Sequence, residues 1–152
     1  KGYYNIKIGK AKLIKKGNKI SIITYGLGVH EAIKVVEKHS IDSDLIDLRT
    51  LNPLDKKCII DSVKKTGKAI ILQEDSLFGG IASEISSIIM ENCFEFLDAP
   101  VKRVGSLNTP IPFETNSLAS LSKPVLSKTE IKARLIFTYS LFNCGFSNIS
   151  IY

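Results

Sequence analysis

The chain has 152 residues, 44% of them hydrophobic and 24% charged, with a net charge of +6; that length suits one domain and excludes disordered and collagen-like polymers. No apolar run approaches the roughly 20 residues that span a bilayer, and Lys1 to Lys19 lacks the apolar centre of a secretory signal, so neither membrane insertion nor export is expected. Cys58, Cys93 and Cys144 are odd in number and far apart, with no C-x-x-C pair and no histidine at zinc spacing, so no disulfide framework, no metal and a reducing compartment are expected, the cytoplasm in a bacterium or the mitochondrial matrix in a eukaryote.

The first segment, IGKAKLIKKG from Ile8 to Gly17, alternates and ends in a Lys-Gly-Asn turn before Lys19 to Tyr25, which predicts a hairpin. Its second strand, Ile20 to Thr24, is a nearly unbroken β-branched run, as a strand covered on both faces requires. Val29, Ala32, Ile33 and Val36 then fall on one helical face. Asp44 to Leu48 reads as the next buried strand. Pro53-Leu54-Asp55 opens a helix bearing Ile59, Ile60 and Val63, and Gly67 closes it.

Ala69 to Leu72 is a further aliphatic strand, and Gly79-Gly80 opens a helix with Ile81, Ile85, Ile88 and Ile89 at helical spacing. Val101 to Val104 is a short strand, followed by a loop rich in Pro and Asn through Phe113. The alternation predicts an α/β fold: a three-layer α/β/α sandwich around a mostly parallel mixed sheet of about five strands, with one antiparallel edge strand.

Candidate chemistry is sparse. Tyr25-Gly26-Leu27-Gly28 lies where a strand feeds a helix, the place where doubly wound sheets cradle phosphates, but Glu31 stands where a dinucleotide fingerprint has its third glycine. A tight turn is the simpler reading. His30 and His39 lie on an amphipathic helix with no nucleophile beside them in sequence, and Cys58 and Cys93 read as small apolar fillers. Glu74-Asp75, at a carboxyl strand end, suits cation binding or acid-base work, although capping or ion pairing is the commoner use. Pro100 keeps Ala99 extended and so holds Asp98 at a turn, where it either caps backbone or meets a basic partner. The lysines, as in Lys15-Lys16, Lys56-Lys57 and Lys64-Lys65, are dispersed without interleaved aromatic residues, so solvated faces rather than a nucleic-acid surface are expected.

The segments IGKAKLIKKG, IDLRTLNPLD, SVKKTGK, EDSLFGGIASEI and FEFLDAPVKRVGSLNTPIPF, in that order, resemble the carboxy-terminal, transketolase-like domain of the beta subunit of pyruvate and branched-chain 2-oxoacid dehydrogenases. The resemblance runs from about Ile6 to Phe113, and Gly105 to Pro110 looks most like bacterial forms with fused alpha and beta parts. It implies a domain over 1–127 and a divergent tail over 128–152 with room for one helix. It also implies an enzyme that decarboxylates a 2-oxoacid with thiamine diphosphate and Mg²⁺ and passes the acyl group to a lipoyl arm. In the family those cofactors are held by the alpha part and by the preceding domain of the beta part, so no catalytic, cofactor-binding or metal-binding residue is expected in this chain alone.

The partners implied are the thiamine-binding alpha and beta domains, further copies of the chain, and the dihydrolipoyl acyltransferase core, whose binding domain is basic. Asp98 is expected as the main docking contact, with Glu95 as a weaker helper. Phe78, Gly79 and Gly80 are expected at a subunit interface, because an apolar group stands there beside two glycines that allow close approach. Asn108 replaces a common Asp of the family, and Leu135 to Tyr152 does not resemble its closing helix. The alternative is a stand-alone α/β module that binds a small ligand with the strand ends at Gly26 and Glu74, or a structural interaction module derived from a transketolase-like enzyme.

Overall fold

The computed structural model describes residues 5–106. Five strands, β1 (Lys12–Lys15), β2 (Ile20–Thr24), β3 (Ser43–Asp47), β4 (Ala69–Ser76) and β5 (Lys102–Ser106), form one sheet in the order β1-β3-β2-β4-β5. All neighbours are parallel except β1, which runs antiparallel to β3 at the edge. The α/β sandwich with a mixed sheet and one antiparallel edge is therefore as expected from the sequence. The expected loop through Phe113, Asn108 and the tail from Leu135 to Tyr152 lie outside the described residues.

The hairpin is a correction. β1 pairs with β3, Lys12 opposite Asp47 and Leu13 opposite Ile46, and not with β2, both of whose edges are taken by parallel partners. Two acids at the start of β3 explain the detour: the Gly17 N–H donates to Asp44 Oδ1 (2.9 Å) and the Asn18 N–H to Asp42 Oδ1 (3.0 Å). The turn is thereby captured by β3 instead of folding back on β2. Its approach is so close that a Cβ on Gly17 would overlap the Ser43 backbone.

Three helices, α1 (Leu27–Lys38), α2 (Lys56–Thr66) and α3 (Ile81–Cys93), cover the sheet. Period-two alternation along the strands sends Ile20, Ile22, Ile70 and Leu72 to the α1 face, and Ile23, Ile46, Ala69 and Ile71 to the face of α2 and α3. A polar chain also fastens α2: Ser21 Oγ meets Ser62 Oγ and Thr66 Oγ1, and the buried Asp44 carboxylate accepts from Ser62 Oγ (2.8 Å) and pairs with Lys65. Asp55 caps α2 by accepting the Cys58 N–H, as expected, and also accepts the Ala11 N–H beside β1 (3.1 Å). Gly67 closes α2 in the left-handed conformation, φ 67°. From β2 the chain crosses to β3 on one side and then returns to β4 on the other, so the strand order reverses between the carboxyl ends of β2 and β4, where ligands of such sheets gather.

Candidate functional site

At that switch point the glycine turn is already occupied. The Leu27 N–H, in the first turn of α1, donates to Glu74 Oε1 at 2.5 Å, and Gly26 (φ 58°) leaves the carboxylate a space that a Cβ would fill. A negative group at a helix start is favoured by the free N–H groups and the macrodipole, and here a side chain supplies it. Asp75 Oδ1 accepts its neighbour's Ser76 N–H (2.6 Å). Burial pushes the Tyr25 hydroxyl above its ordinary 10.0; the Glu74 and Asp75 charges add to the rise, while a hydrogen bond with the Glu74 backbone opposes it. Glu31, in the place of the missing glycine, is buried and paired with Lys34 at 3.1 Å. His30 and His39 are exposed, on the helix and at its C-terminal end.

The second candidate, Phe78-Gly79-Gly80, is a braced turn between β4 and α3. Gln73, itself 2% exposed, accepts the Ala82 N–H (2.7 Å) and donates to the Asp75 and Ser76 carbonyls. Ser76 Oγ donates to the Phe78 carbonyl (3.0 Å), and Arg103 reaches the Leu77 carbonyl and Ser83 Oγ. A Cβ on Gly80 would overlap the Gln73 carboxamide, so the glycine is there for close approach, while Gly79 has φ 70°. The result presents Phe78 at 84% exposure. The glycines signalled the turn in the sequence; Arg103 carried no local signal, because its partners Leu77 and Ser83 lie twenty or more residues away.

Asp98 lies at the opposite end of the sheet layer, after a 3-10 turn at Phe94–Phe96 that contains the exposed Glu95. Its N–H donates to the Gly67 carbonyl (2.8 Å), and a Cβ on Gly67 would approach Asp98 Oδ2 to 2.5 Å. The carboxylate is exposed and accepts no hydrogen bond from the described residues. Beside it a groove of about 620 Å³ is lined by Ser86, Met90, Phe94, Leu97, Asp98 and Val101, among others. Lys64 sits over the neighbouring Phe96 ring, 4.9 Å from its centre. Neither Met90 nor Phe94 stood out in the sequence. The overlooked signal is charge: Glu91, Glu95 and Asp98 fall within eight residues around Phe94 with no Lys, Arg or His among them, in a chain of net +6.

A cleft of about 440 Å³ between β1 and α2 includes Cys58 with Asp44, Asp55 and Lys65. The Asp44 and Asp55 carboxylates are committed to the bonds described above, and among the described residues no group of three or more His, Cys, Asp or Glu is placed to hold a metal ion. Cys93 is buried, with its thiol directed to the Ile60 carbonyl at 3.9 Å, consistent with an apolar filler.

The family model of the transketolase C-terminal domain matches residues 9–128. The pyruvate dehydrogenase E1 component subunit beta of Rickettsia felis is 37% identical over 139 residues, 90% of this chain but 42% of that protein. The 2-oxoisovalerate dehydrogenase subunit beta of Bacillus subtilis is 44% identical over 110 residues, 70% of this chain and 34% of that protein. A solved structure described as a split gene transketolase, inactive beta4 tetramer, overlays 91% of the chain and 45% of its own length with a TM-score of 0.70 at 20% identity, a likeness of fold. The chain thus spans less than half the length of these relatives. With the sheet order, the antiparallel edge and the matched range in agreement, the chain belongs to the transketolase C-terminal domain family and is similar to the carboxy-terminal part of pyruvate and 2-oxoisovalerate dehydrogenase beta subunits.

Proposed function

We propose that the chain is the subunit-assembly and acyltransferase-docking domain of a 2-oxoacid dehydrogenase decarboxylase component, in which pyruvate or a branched-chain 2-oxoacid is oxidatively decarboxylated and the acyl group passes to a lipoyl arm. The names of the relatives support the enzyme class. The observation that carries the docking role is Asp98: an exposed carboxylate on a backbone already fixed by Gly67, so that little ordering entropy is lost when a cation meets it. Glu95 adds a second exposed acid nearby. Phe78, on its braced turn with Gly79 and Gly80, supports self-association and contact with the thiamine-binding alpha and beta domains. The domain is taken to span 1–127, with 128–152 a separate tail, in an enzyme of the bacterial cytoplasm or the mitochondrial matrix.

The described residues do not fit thiamine diphosphate with Mg²⁺. Of the two glycine turns where a strand feeds a helix at the switch point, that at Gly26 is filled by the Glu74 carboxylate, which would repel a diphosphate, and that at Gly79-Gly80 has its Ala82 N–H taken by Gln73; no group of three or more His, Cys, Asp or Glu is placed to hold a metal ion among the described residues. On this reading the cofactor is held by the other domains of the enzyme.

The test is Asp98→Asn, titrated with the basic binding domain of the dihydrolipoyl acyltransferase over a salt series. A docking carboxylate predicts binding at least about tenfold weaker, a flatter salt dependence and little change in thermal stability. Equal affinity of the two proteins at every salt concentration would refute the role.

A further inference from the structure

We propose that the groove beside Asp98 is the apolar half of the same docking site and takes one large apolar side chain from a basic partner segment, whose cation meets Asp98 at the rim. The inference rests on the docking reading and adds to it the residues that supply affinity.

The groove is built by helical spacing. Ser86, Met90 and Phe94 recur every fourth position and form a strip alongside the buried Ile85, Ile89 and Cys93, while Leu97 and Val101 close the other side. Met90 remains 42% exposed and Phe94 68%, so two large apolar groups stand in water next to a concave surface of about 620 Å³. Apolar groups at the centre of an interface, ringed by polar ones, are where binding energy concentrates.

Charge decides the occupant. The one charged side chain lining the groove is Asp98, and no Lys, Arg or His lines it. Glu91 and Glu95, each one position beyond Met90 and Phe94, are exposed, as is Asp98. A basic segment is attracted to these exposed acids and an acidic one is repelled by them. Lys64 lies over the Phe96 ring and is not among the residues that line the groove.

The two halves are separable by salt, because screening weakens the charge pairs and leaves apolar burial almost unchanged. The experiment titrates the isolated basic binding domain of the dihydrolipoyl acyltransferase encoded in the same genome into the full chain at several NaCl concentrations. Phe94→Ser and Met90→Ser should each weaken binding by about tenfold or more while keeping the wild-type salt slope. Ser86→Phe, which fills the groove from a half-buried position, should do the same and guards against misreading a folding defect. Unchanged affinity in all three variants, with Asp98→Asn still weakened, overturns the groove and leaves the docking reading standing. Unchanged affinity in all four overturns both. A loss of self-association instead of domain binding, read by sedimentation, assigns the groove to a second copy and also overturns the inference.

Discussion

The Asp98 N–H donates to the Gly67 carbonyl across 2.8 Å, so the residue that ends α2 also seats the acidic turn after α3. Gly67 serves twice: its φ of 67° is the left-handed cap, and its missing Cβ leaves room for the Asp98 carboxylate. Gly67→Ala should cost about 1–3 kcal/mol in a denaturant melt, because the alanine strains the cap and the carboxylate must move. The same substitution should weaken acyltransferase-domain binding without changing any charge. Wild-type stability in the variant would show that the turn is not seated on Gly67.

Glu74 closes the first turn of α1 from the adjoining strand. Glu74→Ala removes the acceptor for the Leu27 N–H and the negative charge at the helix start, a loss of about 0.5–2 kcal/mol. Glu74→Gln keeps an acceptor and should recover part of it. With the carboxylate gone, the alanine variant should gain thermal stability from added inorganic phosphate where the wild type gains none. A variant indifferent to phosphate would mean that the turn lacks anion-binding geometry of its own.

Burial pushes the Cys58 thiol above its ordinary 9.0, with the charges of Asp55, Asp61 and Asp44 adding and Lys10 opposing; burial raises Cys93 likewise, against Lys64. Well below pH 9 the thiols are protonated in both the folded and the unfolded chain and confer no slope. As pH climbs past 9.0 the unfolded chain releases protons that the folded one still holds, so stability falls and is lost progressively through the raised folded values. Denaturant melts between pH 8 and 10.5, about the span of ordinary thiol and phenol titration, should show this decline, and Cys58→Ala in a Cys144→Ser background should reduce it. An identical decline in that variant would remove Cys58 from the account.

Much of the architecture was legible because it is written in short-range periodicity. The 3.6-residue recurrence of Val29, Ala32 and Val36 and the β-branched run Ile20 to Thr24 each state which face is buried, and Asp55 and Gly67 mark both ends of α2 by local chemistry. The order of segments alone also carried the family, since a long motif such as FEFLDAPVKRVGSLNTPIPF needs no coordinates to be matched. What a period cannot encode is which strand lies next to which. Gly17 and Asn18 read as a hairpin turn until Asp44 and Asp42, more than twenty residues on, are seen to hold their N–H groups. The surfaces follow the same rule: Glu74 filling the glycine turn, Arg103 bracing the Phe78 turn, and Gly67 seating Asp98 are all bonds between residues distant in sequence. Their energies depend on geometry created only when the sheet has formed, so the sequence determined the elements and their buried faces, and the tertiary structure decided which polar groups were spent internally and which were left for a partner.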